Sequence, residues 1–209
     1  MRPFKVRAIT LLITLFAFSA TFYSACQKDP CKDVSCLNGG TCEDGLCKCP
    51  TGWVGANCET SKCEGITCTN GGSCVDGKCQ CPLGYEGDHC ETETRNKFQG
   101  VWVVTEDGSF SNAAQYMVSV TAGTTIAEVK IQNFRNAFTE KISATVNGDS
   151  IIIPEQVVSN DTISGKGVIS DDQFYGKNGK VLFRYKIRYS DGTVDDFGVN
   201  AGEMSYWNK

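Results

Sequence analysis

The chain has 209 residues, a formal net charge of −4, thirteen cysteines and a single histidine, His89. This length allows one or two ordinary domains, and the composition excludes a disordered polymer and a polytopic membrane protein. The mildly acidic composition gives no indication of the basic patch that nucleic-acid binding requires, so we expect no nucleic-acid partner. The single histidine excludes most zinc sites and most histidine-dependent hydrolases, and we expect no enzyme activity, no metal and no cofactor.

The first residues have the pattern of an export signal. Three cations within residues 1–7 precede an uncharged run at 8–27, whose apolar centre at 9–18 fades into small residues. This pattern predicts a signal peptide at 1–25 rather than a permanent membrane anchor, because the apolar stretch is short and a small-residue exit follows it. We therefore expect an exported protein, in which cysteines form disulfides.

A cysteine follows directly after the predicted signal peptide. Ser24, Ala25 and Cys26 resemble a bacterial lipobox of the relaxed kind found in Bacteroidota surface lipoproteins, with Tyr23 in place of the usual Leu. The resemblance implies cleavage before Cys26, a lipid on this cysteine, and a tether at 26–30 that holds the protein at the outer membrane or cell surface. The alternative is an ordinary secreted protein that is cut nearby. Cleavage leaves 17 basic and 24 acidic residues, a net charge of −7.

The other twelve cysteines form two units of six with the same spacing, C-x4-C-x5-C-x4-C-x-C-x8-C. The units span 31–58 and 63–90, and both contain an Asn-Gly-Gly motif and a Gly-aromatic-x-Gly motif. Each unit is too small to bury a useful core, so disulfides or a metal must stabilise it. The export signal and six regular cysteines favour disulfides over zinc. The spacing alone leaves fifteen possible pairings in each unit.

These two units resemble tenascin-type EGF-like domains. The family's 1–3, 2–4, 5–6 order implies six disulfides: Cys31–Cys42, Cys36–Cys47, Cys49–Cys58, Cys63–Cys74, Cys68–Cys79 and Cys81–Cys90. Many such domains bind calcium through an acidic run before the first cysteine. Residues 59–62, before Cys63, lack this run, so we expect no calcium site.

The rest of the chain contains no cysteine and no histidine. The polar segment 91–96 is predicted as a linker, and residues 97–209 are enough for a separate core. Apolar side chains at every second position from Val181 to Tyr189 predict a strand with one buried face. The alternating cations Arg184, Lys186 and Arg188 are then expected on the wet outer face rather than inside an anion-binding barrel.

Similar alternation elsewhere predicts nine or so short strands joined by tight turns, with no convincing helix. One of these strands is predicted at 100–106, and others at 194–199 and 203–207. This pattern predicts an all-β antiparallel meander that closes into a barrel, with a two-sheet sandwich as the alternative. Gly100 and Trp102 resemble the Gly-x-Trp element that opens the first strand of lipocalin and other calycin barrels. The resemblance implies a lipocalin-like domain in which Trp102 covers the barrel floor.

Neighbouring acids occur at two places beside predicted turns. They are Asp171 with Asp172 and Asp195 with Asp196. Glycosidases use pairs of carboxylates, but acids beside turns are usually solvated, and without His or Cys the domain has no nucleophile–base pair. We therefore expect these acids to be solvated rather than catalytic.

Three aromatic residues lie near predicted loops: Phe110, Phe134 and Phe174. They fit either a binding mouth or the core, and core packing is the stronger expectation. Short Asp-Ser/Thr-apolar motifs place Ser150 and Thr162 in the pattern of O-glycosylation sites on exported Bacteroidota proteins.

These features predict a non-enzymatic, lipid-tethered binding or adhesion protein that displays a β-barrel head on EGF-like spacers and binds a protein or glycan at the cell surface. The alternative is a lipocalin-like carrier of a small apolar or anionic ligand, and a weaker one is a glycan-processing enzyme. The first predicts a small or filled barrel interior and the second an apolar cavity of some hundreds of Å³. The third predicts two inward carboxylates in a cleft.

Overall fold

A computed structural model describes residues 28–209. The predicted signal peptide at 1–25 and the predicted lipidation site Cys26 lie outside the described residues. The chain divides into two compact units, of which the first ends at Glu64 and the second spans Gly65–Lys209. Within 28–209, no helix has the length and apolar character needed to cross a membrane.

The first unit contains the first cysteine module. Strands β1 (Thr41–Glu43) and β2 (Leu46–Lys48) pair as one hairpin, and β3 (Trp53–Val54) pairs with β4 (Thr60–Ser61). Its disulfides are Cys31–Cys42, Cys36–Cys47 and Cys49–Cys58. These short hairpins bury little apolar surface, so the disulfides provide most of the stability.

The second module repeats this architecture. Strand β5 (Ser73–Val75) pairs with β6 (Lys78–Gln80), and β7 (Tyr85–Glu86) pairs with β8 (Thr92–Glu93). Its disulfides include Cys68–Cys79 and Cys81–Cys90, and Cys63 and Cys74 are disulfide-bonded as well. The predicted disulfide-rich region is therefore confirmed.

Close packing against a disulfide explains the repeated Asn-Gly-Gly motif. Asn70 and Gly71 both have positive φ, and the side-chain amide of Asn70 donates to the carbonyl of Cys90 at 2.9 Å. A Cβ at Gly72 would lie 2.7 Å from the Cys90 sulfur, so only glycine fits there. Residues 38–40 of the first module have the same arrangement around Cys58.

Residues 91–96, predicted as a linker, include β8 and most of a 3₁₀ helix at Thr94–Lys97. The amide of Thr94 donates to the carbonyl of Gly84 at 2.9 Å. The connection between the second module and the following strands is thus folded structure.

Nine strands follow. They are β9 (Gly100–Glu106), β10 (Ala114–Ala122), β11 (Glu128–Gln132), β12 (Ile142–Asn147), β13 (Ser150–Val158), β14 (Asp161–Asp172), β15 (Gly176–Arg188), β16 (Val194–Phe197) and β17 (Ser205–Asn208). A second 3₁₀ turn, Phe134–Asn136, lies between β11 and β12. The order β14-β13-β12-β11-β10-β9-β17-β15 closes through the pairing of β14 with β15. The prediction of an antiparallel barrel, here with eight strands, is confirmed, and the sandwich alternative is wrong.

Strands β16 and β17 share one edge of β15. Tyr185 pairs with Phe197 of β16, and Phe183 pairs with Ser205 of β17. The chain between them, residues 198–204, therefore leaves the sheet and returns to the same edge of β15 two residues further along that strand. We call this segment the excursion. The sequence predicts strands at 194–199 and 203–207. In the structure the excursion takes the end of the first and the start of the second, so β16 ends at Phe197 and β17 begins at Ser205.

Large side chains fill the barrel interior. The rings of Phe183 and Trp207 stack at 5.1 Å between centroids, and those of Tyr185 and Phe197 stack at 4.2 Å. Gly167 of β14 provides room for these rings, since a Cβ there would lie 2.5 Å from the Phe183 ring. Alternating large and small residues on neighbouring strands thus pack the core.

Trp102, which is predicted to cover the barrel floor, lies near the start of β9. Its indole is buried and donates to the carbonyl of Phe98 at 2.8 Å. The ammonium of Lys209 lies 4.3 Å from the centre of the Trp102 ring and donates to the carbonyl of Lys97 at 2.7 Å. These contacts join the two ends of the barrel sequence and close the core on this side.

Candidate functional site

A buried carboxylate lies at the other end of β9. Glu106 is 3% exposed and accepts hydrogen bonds from the hydroxyls of Tyr116 at 2.7 Å, Tyr185 at 2.7 Å and Ser205 at 2.8 Å. The Ser205 oxygen in turn accepts from the indole of Trp207 at 3.0 Å. The network satisfies this carboxylate within the barrel, as a buried charge requires.

The two tyrosines of this network are held as donors. Burial and the adjacent charge of Glu106 raise the pKa of Tyr116. Burial, the neighbouring Tyr116 and Glu106 raise the pKa of Tyr185 well above its ordinary value. Both hydroxyls therefore stay protonated and continue to donate to Glu106.

Arg135 supplies the positive charge for this network. Its guanidinium lies 3.5 Å from Glu106, 3.6 Å from the carboxylate of Asp195 and 5.0 Å from the centre of the Phe197 ring. Burial opposes its charge, but the neighbouring tyrosine oxygens and the charge of Glu106 outweigh burial and raise the pKa of Arg135. Its backbone has a φ of 62°, in the left-handed region that non-glycine residues rarely adopt. Tertiary contacts of the side chain thus hold a strained loop in place.

Asp195 is fully buried and connects the loop after β9 to the barrel. One of its oxygens accepts from the backbone amides of Phe110 at 3.0 Å and Ser111 at 3.4 Å. The expectation that Asp195 and Asp196 are solvated is wrong, because both side chains are buried. Proximity to a turn does not reveal these partners. Arg135 compensates the charge of Asp195, and backbone amides of the excursion donate hydrogen bonds to Asp196.

A groove on the outside of the barrel is the second site. It contains a cavity of about 340 Å³ lined by Ser164, Gly165, Lys166, Arg184, Lys186 and Val199. An adjoining cavity of about 370 Å³ is lined by Lys166, Val168, Leu182, Arg184 and Met204. We call the two together the cationic groove. Strands β14 and β15 supply its floor, and the excursion supplies one wall.

The register of these strands sets the positions of the cations. Lys166 lies directly opposite Arg184, and Lys186 lies opposite Ser164 two residue pairs further along, on the same face. The Arg184 side chain contacts the sulfur of Met204 at 3.0 Å. Lys186 pairs with Asp196 at 3.3 Å.

Asp196 fixes the excursion over the groove. Its carboxylate accepts from the backbone amides of Val199 at 2.7 Å and Asn200 at 3.1 Å. Desolvation opposes its ionisation, but these amides and Lys186 outweigh desolvation and hold the pKa of Asp196 below its ordinary value.

The structure places the residues singled out from the sequence at exposed, half-buried and core positions. The expected outer face of β15 is confirmed, since Arg184 and Arg188 are exposed. Phe134 is in the core, but core packing is wrong for Phe110 and Phe174, which are 69% and 82% exposed. The proposed glycosylation positions Ser150 and Thr162 are half-buried in β13 and β14.

Sequence patterns do not single out two residues of the buried network. Glu106 follows Trp102 and Val104 in the alternation of β9, and this phase indicates an inward position. Arg135 lies in a loop without periodicity and gives no such signal. Across residues 28–209, no three His, Cys, Asp or Glu side chains are grouped to hold a metal ion.

Comparisons with known proteins match one part of the chain. Residues 61–90 match the family of EGF-like domains. This result, together with six disulfides in the N-terminal region, indicates an extracellular or exported protein. A search of curated proteins finds no match. A crystal structure of a Bacteroides ovatus protein of unknown function is similar over 53% of this chain, with 11% identity and a TM-score of 0.34. The chain spans 41% of that protein's length.

Proposed function

We propose that the protein is an exported, non-enzymatic binding or adhesion protein that a lipid on Cys26 attaches to the outer membrane or cell surface. A β-barrel with an EGF-like domain is consistent with a binding or adhesion role. The partner is a protein or glycan, and the outer surface of the barrel binds it.

The filled interior carries this proposal. Stacked aromatic rings and the network around Glu106 occupy the space in which a lipocalin-like carrier would hold an apolar or anionic molecule. A carrier needs an open apolar cavity of roughly 300 Å³ or more. The cavities of the cationic groove instead lie on the outer faces of β14 and β15.

The two inward carboxylates support a structural role over a catalytic one. Glu106 and Asp195 are 3% and 0% exposed, and Arg135 lies between them. A glycosidase needs carboxylates that reach a sugar and, in inverting enzymes, leave room for a water. Enclosed acids that share one guanidinium favour barrel stability instead.

The second module is positioned to present the barrel. Lys97 contacts Glu86 of the module at 2.8 Å and Asp149 of the β12–β13 turn at 2.7 Å. Gly84 of the module packs against Ile126 of the β10–β11 loop, where a Cβ would meet the Ile126 side chain at 2.6 Å. Such a joint supports a barrel held in fixed orientation on its module, as a displayed binding domain requires.

Metabolic labelling with a fatty-acid analogue tests the tether. We expect label on the wild-type protein, none on Cys26→Ala, and retained label on Ser24→Ala, which keeps a small residue before the cysteine. Protease added to intact cells should digest the wild-type protein. An unlabelled wild-type protein, or one released into the medium, would contradict the proposal.

A further inference from the structure

We propose that the cationic groove binds an acidic segment of a partner protein, with carboxylates on Lys166 and Arg184 and neighbouring aliphatic side chains on the apolar rim. The inference rests on the proposed binding function and adds to it a site and a ligand chemistry.

The cross-strand pairing of Lys166 and Arg184 is the first observation. Like charges directly opposite each other destabilise an antiparallel pair of strands. An acidic residue in place of either Lys166 or Arg184 would stabilise the pair instead. In the described part of the chain, neither cation forms an ion pair with a carboxylate, and the Arg184 contact is with a thioether, a weak acceptor. Residues that break a local stability rule in this way are expected at functional sites.

The local charge is the second observation. Lys186 is the third cation of the groove, and it pairs with Asp196. Two backbone amides of the excursion already bind this carboxylate, which offsets one of the three cations. The groove therefore carries a positive charge on a chain whose net charge is −4. An anionic partner is the complement of this surface.

The rim of the groove favours a peptide over a glycan. Val168 and Val199 are each 46% exposed, and Leu182 and Met204 are half-buried beside the cations. Aliphatic side chains and a methionine suit the side chains of a peptide, since methionine adapts to varied apolar partners. Sugar rings stack on aromatic faces, and the described lining residues of the groove include none.

The excursion makes the site specific to this edge of the barrel. Phe183 and Tyr185 have partners on β17 and β16, whereas Arg184, between them, has no such partner because the chain has left the sheet. Val199 and Met204 of the excursion then stand beside the outer face of β15. A flat barrel surface thus becomes a groove of a size that holds a few side chains.

Fluorescence anisotropy with the detergent-solubilised full-length protein tests this inference. The probe is a fluorescein-labelled peptide, Gly-Ser-Glu-Leu-Glu-Val-Glu-Ser-Gly, and we expect a dissociation constant below about 100 µM at low salt. Lys166→Glu and Arg184→Glu should each weaken binding by roughly ten-fold or more, because charge reversal adds repulsion. Lys166→Arg should keep binding, and so should the matched reversals Lys141→Glu and Lys177→Glu at exposed sites elsewhere on the barrel.

Three results would overturn the inference. They are no binding of the acidic peptide, equal binding by the groove variants and their matched controls, or binding of heparin in place of the peptide at the groove. Circular dichroism verifies that each variant is folded. A protein that is lipid-labelled at the surface but fails this peptide test refutes the acidic-segment site and leaves the tethered binding role standing.

Discussion

Arg135 lies 3.5 Å from Glu106 inside the barrel, although 28 residues and two strands separate them in the chain. The same guanidinium faces Asp195 at 3.6 Å, so one cation compensates two buried carboxylates. Removing one member of a buried ion pair leaves an uncompensated charge, which is more costly than never having had the pair.

We therefore expect Arg135→Met to lower the free energy of unfolding by about 3 kcal/mol. Urea denaturation measures this loss, and Lys141→Met is the control, since Lys141 is exposed. A loss equal to that of the control would show that Arg135 does not stabilise the network.

The packed interior makes Gly167 sensitive to a single added carbon. A Cβ there would lie 2.5 Å from the Phe183 ring and 2.9 Å from Ile151. We expect Gly167→Ala to destabilise the barrel by about 2 kcal/mol, because overpacking displaces neighbouring side chains. The exposed neighbour Ser170 serves as the control through Ser170→Ala, compared by thermal unfolding. A neutral Gly167→Ala would indicate spare volume inside the barrel.

Reduction of the disulfides should separate the two kinds of domain. All twelve bonded cysteines precede the barrel strands, so a reductant should unfold the modules while the barrel core persists. In a Trp53→Phe variant, tryptophan fluorescence comes only from Trp102 and Trp207, both buried in the barrel. We expect this emission to stay unchanged on reduction. A red shift would mean that the barrel depends on the disulfides.

Lys97 should couple the second module to the barrel. It contacts Glu86 and Asp149 and is largely buried, and desolvation is outweighed by these two hydrogen bonds, which raise the pKa of Lys97. We expect Lys97→Met to cost about 1–2 kcal/mol and to speed amide exchange at 84–86 and 147–149. Lys78→Met, at an exposed site in the same module, should change neither. Unaltered exchange in the Lys97 variant would contradict the coupling.

Asp196 predicts a loss of stability in acid. Its pKa is below the ordinary value of 3.8 in the folded protein, so its contribution is full above that value and is lost as the pH falls through the folded pKa. Urea midpoints measured from pH of about 5 to about 2.5 should fall less steeply in Asp196→Asn than in the wild type. Parallel curves would show that Asp196 does not contribute to this acid dependence.

Local patterns predicted most of the architecture. Strand β9 occupies the predicted residues 100–106, because alternation of buried and exposed side chains is a property of neighbouring positions. The cysteine spacing likewise predicted the disulfide-rich region, since the six regularly spaced cysteines of each repeat are themselves the residues that form the disulfides.

Long-range contacts decide what the sequence did not reveal. Asp195 is buried because Arg135, from a distant loop, reaches it, and the excursion at 198–204 interrupts what alternation predicts as strands. The cationic groove depends on both the register of β14 with β15 and this interruption. Neither is a property of one segment, so the alternation of β15 predicts that its cations lie on the outer face but gives no sign of a binding site there.

Native mass spectrometry of the purified protein, followed by solvent extraction, tests the filled-barrel account most directly. We predict the mass of the processed polypeptide with its lipid and no small molecule extracted at about one per protein. A small apolar or anionic molecule recovered at that stoichiometry, and retained by a Lys166→Glu variant, would place a ligand inside the barrel and contradict the account.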